Sequence, residues 1–144
     1  MRRIETPPGK VLQAMWSPDG QSLLYLHDPG SPGESVAIRE QDVDGRADRL
    51  LAKTSQYACF ARNANATVFL GASRSKASPY LLLLLRLTRR ELTLSEHRAH
   101  EAATASVMFS PDSQHVFFQG DREGKPVVYW VRVDRLIEKT ESPE

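Results

Sequence analysis

Apolar positions along this chain fall in short runs rich in Leu, Val, Tyr and Phe, and Pro, Gly, Asp or Ser interrupts them at close intervals. That is a pattern of strands and turns, not of helices. One phrase recurs: Trp16-Ser17-Pro18-Asp19-Gly20 followed by Gln21 to Leu26, then Phe109-Ser110-Pro111-Asp112-Ser113 followed by Gln114 to Gln119. Between them stands an eroded copy, Phe60-Ala61-Arg62-Asn63-Ala64 running to Leu70, which keeps the aromatic, a turn-forming Asn and the apolar strand but not the Pro. In each intact phrase Ser can accept a hydrogen bond, Pro presets φ, and Asp can bond nearby backbone, which together make a hairpin corner. Predicted strands are 11–16, 22–27, 34–41 and 47–52; then 57–61, 66–72, 79–87 and 91–96; then 105–109, 115–120 and 126–133. Asp44-Gly45 is the expected tight turn between the third and fourth.

The aromatics at 16, 60 and 109 are 44 and 49 residues apart. A four-stranded propeller blade repeats every 40 to 50 residues or so, and helical repeats of that period would need helices. The fold class read from the chain is therefore all-β, a partial β-propeller of about three four-stranded antiparallel blades. The whole chain, 1–144, reads as one propeller segment, with blade one at about 9–53, blade two at about 54–101 and an incomplete blade three at about 102–141. Met1 to Glu5 aligns with the end of a preceding fourth strand, so both chain ends fall at one phase of the repeat. A propeller closes with about four blades or more. Self-association or additional blades are thus expected to complete the ring, because open sheet edges attract partners.

Charge changes this picture little. Nineteen basic residues face 18 acidic ones for a formal net charge of +1, so nothing argues for nucleic acid or an anionic membrane. Fourteen of the basic residues are Arg, which suits carboxylate recognition. Cys59 has no second cysteine to pair with and is expected in the core. The run Leu81 to Leu85 is far too short to span a bilayer and fits a strand covered on both faces. The corresponding strand of the first unit, with Arg39, Glu40 and Gln41, is more polar and suggests a less covered blade. No signal peptide or transmembrane segment is visible, which leaves periplasm and cytoplasm both open.

Candidate chemistry is sparse. Gly71-Ala72-Ser73-Arg74-Ser75 lacks the last Gly of a nucleophile elbow, and no phosphate-binding glycine loop occurs. His97 and His100 are the one close histidine pair; the expected setting is a solvated loop between blades two and three, not a metal site. No catalytic, cofactor or metal residues are assigned. The hairpins after each second strand and the loops between blades share one rim in a propeller. That places Lys53, Arg74, Lys76, Arg98, His100, Arg122 and Lys125, with Lys10, as a candidate cationic rim for an acidic ligand.

The Trp/Phe-Ser-Pro-Asp units and the string Gly120-Asp121-Arg122-Glu123-Gly124-Lys125-Pro126-Val127-Val128-Tyr129 resemble the WD40-like repeats of TolB-type propellers. The resemblance covers all three units and implies a non-enzymatic, protein-binding platform, often periplasmic. The chain is also similar to the propeller of oligogalacturonate lyases, which implies a divalent metal held by a histidine-rich cluster and cleavage of acidic oligosaccharides; no segment here matches that cluster. Likeness to prolyl-oligopeptidase-like peptidases implies a gating propeller beside a catalytic domain that this chain lacks. The reading is a non-catalytic scaffold for a protein partner or acidic oligosaccharide, with the lyase as the alternative and the gate as a second one.

Overall fold

The computed structural model describes residues 1–44 and 47–141, and Gly45 of the expected 44–45 turn lies outside them. The chain divides into two compact units, Met1–Tyr57 and the remainder from Ala58 onward. All its sheets are antiparallel. The first unit holds β1 (Lys10–Trp16), β2 (Ser22–Asp28), β3 (Ala37–Asp42) and β4 (Asp48–Lys53), hydrogen-bonded in that order. Next come β5 (Tyr57–Arg62), β6 (Val68–Ser73), β7 (Tyr80–Leu85) and β8 (Arg90–Glu96), again in chain order. A third sheet has β9 (Met108–Phe109), β10 (His115–Gly120) and β11 (Val127–Arg132), followed by helix α1 (Asp134–Glu141). The architecture is all-β with three blade-like meanders, as the repeat predicts.

The three corners share one backbone. Ser17, Asn63 and Ser110 each donate their N–H to the carbonyl five residues on, at 2.9, 2.9 and 2.8 Å, and each carbonyl accepts from the N–H three residues on. In the two Ser-Pro-Asp corners the hydroxyl donates to the Asp carboxylate, at 2.7 and 2.6 Å, and accepts the N–H of Ser22 or His115. Asn63 does the same work with its carboxamide, whose Oδ1 accepts from Thr67 and Val68, while Asn65 takes the place of Asp. The corner therefore keeps its hydrogen-bond pattern without the proline.

The second unit is built on the middle sheet. Alternate residues Leu81, Leu83 and Leu85 join Val116, Phe118 and Val133 in one cluster, whereas Leu82 and Leu84 lie on the opposite face and are buried as well. Each such leucine contributes about 1.5 to 3 kcal/mol relative to an exposed one. Cys59 sits in this cluster, and burial pushes its thiol pKa up.

Several expectations need correction. Residues 1–7 form no strand, where the repeat places Met1 to Glu5 at the end of a preceding fourth strand. The predicted strand 105–109 is cut to Met108–Phe109, because Ala102–Ala105 makes a 3₁₀ turn that Ser106 closes at φ 49°. Small alanines let that turn pack tightly, and Ala102 and Ala105 are buried. Beyond β11 a short amphipathic helix follows, with Asp134 in its first turn, Lys139 in its last and Ile137 against the core. Among the described residues, no helix is long and apolar enough to cross a membrane.

Candidate functional site

The loop between β8 and β9 builds the site where candidate rim residues meet, and it is pinned at both ends. His97 is 3% exposed, so the expectation that it is solvated is wrong. Its Nε2 lies 3.1 Å from the Ser73 carbonyl at the end of β6, and its Nδ1 accepts the Ala99 N–H at 3.1 Å. This pattern places the proton on Nε2 and leaves no ring nitrogen for a metal. Burial holds the His97 pKa below its ordinary 6.5. The neighbouring Arg98 takes the left-handed conformation, φ 59°, and its carbonyl accepts the N–H groups of Asp121 and Arg122 at 3.0 and 3.1 Å. That approach requires Gly120, where a Cβ would lie 2.5 Å from the Arg98 carbonyl oxygen. His100 then docks through its N–H and ring Nδ1 on the Asp121 carboxylate, at 2.9 and 3.0 Å. These bonds hold the Asp121 carboxyl below the usual range, the backbone N–H of His100 being the largest cause.

Fastened this way, the loop closes one side of a cleft of about 440 Å³. Arg74 and Lys76, from the β6–β7 hairpin, and Arg122, from the β10–β11 hairpin, line it together with His100. Small side chains, Ala58, Ala99, Ala102 and Ala103, form its apolar part. Arg122 donates to Glu96 at 3.1 Å, and both are half exposed, so the pair is weak and exchangeable. Lys76 has no ion-pair partner among the described residues. Cationic forks above a small apolar floor can hold a carboxylate against its apolar carrier.

Four of the seven candidate rim residues therefore meet: Arg74, Lys76, His100 and Arg122. Arg98 does not line the cleft; its guanidinium lies 5.6 Å over the Tyr129 ring and 3.7 Å from Glu123. Lys125 is exposed in the β10–β11 hairpin and is also outside the lining. Lys53 belongs to the first unit, at the end of β4, where it lines a separate cavity. His97, Ser73 and the alanine floor were not read from the sequence as site residues. Gly120 beside Asp121 was the available signal, since a strand-ending glycine marks close backbone approach.

A metal site of the histidine-cluster kind does not fit these residues: among those described, no group of three or more His, Cys, Asp or Glu could hold an ion. His97 has committed both ring nitrogens to the backbone.

No protein-family model matches the chain, and no curated protein matches it. Solved structures do. An oligogalacturonate lyase in complex with manganese superposes with a TM-score of 0.75 at 20% identity, over 90% of this chain and 37% of that one. The oligogalacturonate lyase of Vibrio parahaemolyticus gives 0.72 at 17% identity, covering 85% and 35%. TolB from Acinetobacter baumannii gives 0.69 at 16% identity, covering 88% and 30%. This chain thus has the fold of TolB-type and oligogalacturonate lyase propellers and spans 30 to 37% of the length of these three structures.

Proposed function

We propose that this chain is a non-catalytic β-propeller binding scaffold whose second unit takes an acidic group, from a protein partner or an acidic oligosaccharide, in the cleft between Arg74 and Arg122. The observation that carries the reading is the convergence of Arg74, Lys76 and Arg122 from two separate hairpins on one cavity floored by alanines. Evenly scattered surface charge does not converge in this way. A ligand carboxylate replaces Glu96 on Arg122 at little cost, because an exposed ion pair contributes about 1 kcal/mol or less. More blades, from the same chain or from another copy, would complete a ring around such a module.

The test is titration of the whole chain with an acidic peptide and with oligogalacturonate. Arg74→Ala combined with Arg122→Ala is expected to weaken binding by about a hundredfold, two lost charge-assisted contacts at about tenfold each. Unchanged binding in the double variant overturns the reading.

The lyase alternative is favoured by the similarity to the manganese complex, although that likeness extends to the fold alone. If oligogalacturonate with a divalent metal produces the ultraviolet absorbance of unsaturated uronates, the chain is an enzyme and the non-catalytic reading is lost.

A further inference from the structure

We infer that the first unit carries a second binding site, for a flat apolar monocarboxylate, in the groove between its sheet and the segment that precedes β1. The register places His27, Ala37 and Lys53 in one cross-strand row and Tyr25, Arg39 and Leu50 in the next. These rows form one face of the sheet. Pro7 and Pro8 lie along it, held because His27, 4% exposed, contacts the Pro7 carbonyl through Nε2 at 3.1 Å. Gly9 makes the crossing possible: at φ +132° it passes so close to β2 that a Cβ would lie 2.3 Å from the Asp28 carbonyl oxygen. The result is a cavity of about 520 Å³.

Its chemistry selects the ligand. Pro7, Pro8, Pro29, Ala37 and Leu50 supply flat apolar walls, which suit an aromatic or similarly planar body. Arg39 also lines the cavity, but Asp48 already accepts from its Nε at 2.7 Å and from the Tyr25 hydroxyl as well. That leaves Lys53, which has no ion pair among the described residues, as the cation available to a ligand. Glu34 lines the same cavity and repels a second negative charge. One open cation, one acid and prolyl walls therefore fit an apolar monoanion better than a polyanion.

The experiment follows amide shifts in the whole chain during titration with 3-phenylpropionate, its neutral amide and tricarballylate. Shifts are expected at residues 27–37 and 50–53, with the amide and Lys53→Met each weakening the interaction about tenfold and Lys53→Arg restoring most of it. Tricarballylate is expected to spare these residues. Absence of shifts in the first unit, equal affinity of Lys53→Met, or equal binding of the amide or of tricarballylate there each overturns the inference. Lys53 is exposed, and an unchanged amide spectrum elsewhere shows that its variants fold.

Discussion

The two cavities are made by the same device and end with different chemistry. In the first unit the segment before β1 crosses the end of β2; in the second, the segment before β9 crosses the end of β10. Each crossing needs one glycine, Gly9 on the crossing segment in one case and Gly120 on the strand in the other. Each cavity also uses a buried histidine whose Nε2 meets a backbone carbonyl at 3.1 Å, Pro7 or Ser73. Asp28 and Asp121 stand at matching places, and their carboxylates accept the N–H of Gly30 and His100. What differs is the cargo of the crossing segment and the hairpins around it. Pro7 and Pro8 give the first cavity apolar walls and leave Lys53 as its open cation; Arg74, Lys76 and Arg122 give the second three cations against one acid, Glu101. Backbone architecture is thus repeated while the chemistry of the cavity linings differs, because side chains on hairpins and connecting segments can change without changing the sheet beneath them.

The sharpest way to break this parallel is to fill the crossings. Gly120→Ala is expected to destabilise the second unit by about 2 to 3 kcal/mol, since neither the strand end nor the Arg98 backbone can move freely, and to abolish binding in the cationic cleft. Urea unfolding, with binding measured at low denaturant, checks both. Gly9→Ala is expected to release the 7–9 segment and destroy the proline-walled groove at a smaller cost to stability, because that segment lies outside the sheet. If Gly120→Ala leaves both stability and cleft binding intact, the crossing does not shape the site.

A pH titration probes the histidine pin of the second unit. His97 is neutral when folded, with its pKa lowered chiefly by burial, so below 6.5 the unfolded chain binds the proton that the folded chain refuses. Its contribution to stability is therefore complete above the unfolded value and is lost as pH falls from about 6.5 toward the folded value, at a slope of at most about 1.4 kcal/mol per unit. His97→Gln is expected to flatten that part of the profile. An unchanged slope in the variant would assign the acid sensitivity to other groups.

The smallest expected effect concerns the corners. Gly20, Ala66 and Ser113 occupy the same corner position at φ 71°, 57° and 61°. A Cβ at Gly20 would meet nothing within 4 Å, so Gly20→Ala costs only the left-handed backbone penalty of about 1 kcal/mol. Thermal unfolding resolves a change of that size. A much larger loss would mean that the first corner is less equivalent to the other two than its hydrogen bonds indicate.

Much of the fold was legible because its signals are local. The corners at Ser17 and Ser110 carry their own hydrogen-bond partners within five residues, and the Leu81 to Leu85 run declares a strand buried on both faces. The polar third strand of the first unit was also readable, and the structure shows what its polarity does: Arg39 and Tyr25 converge on Asp48. The site was legible only in part. Arg74, Lys76, His100 and Arg122 could be grouped from the phase of the repeat, but the same logic added Lys53, Arg98 and Lys125, which line no part of the cleft.

The amino-acid order by itself thus determined the repeat, the strand-and-turn grammar and the list of available cations, since turn chemistry and apolar runs act over a few residues. Only the tertiary structure decided that His97 is buried and engaged at both nitrogens, that Arg98 turns to Tyr129, and that Lys53 belongs to another cavity. Those outcomes depend on backbone crossings between segments distant in the chain, such as Arg98 over Gly120 and Gly9 over Asp28. A side chain's direction at such a crossing is set by what the distant segment leaves room for, and local sequence does not carry that information.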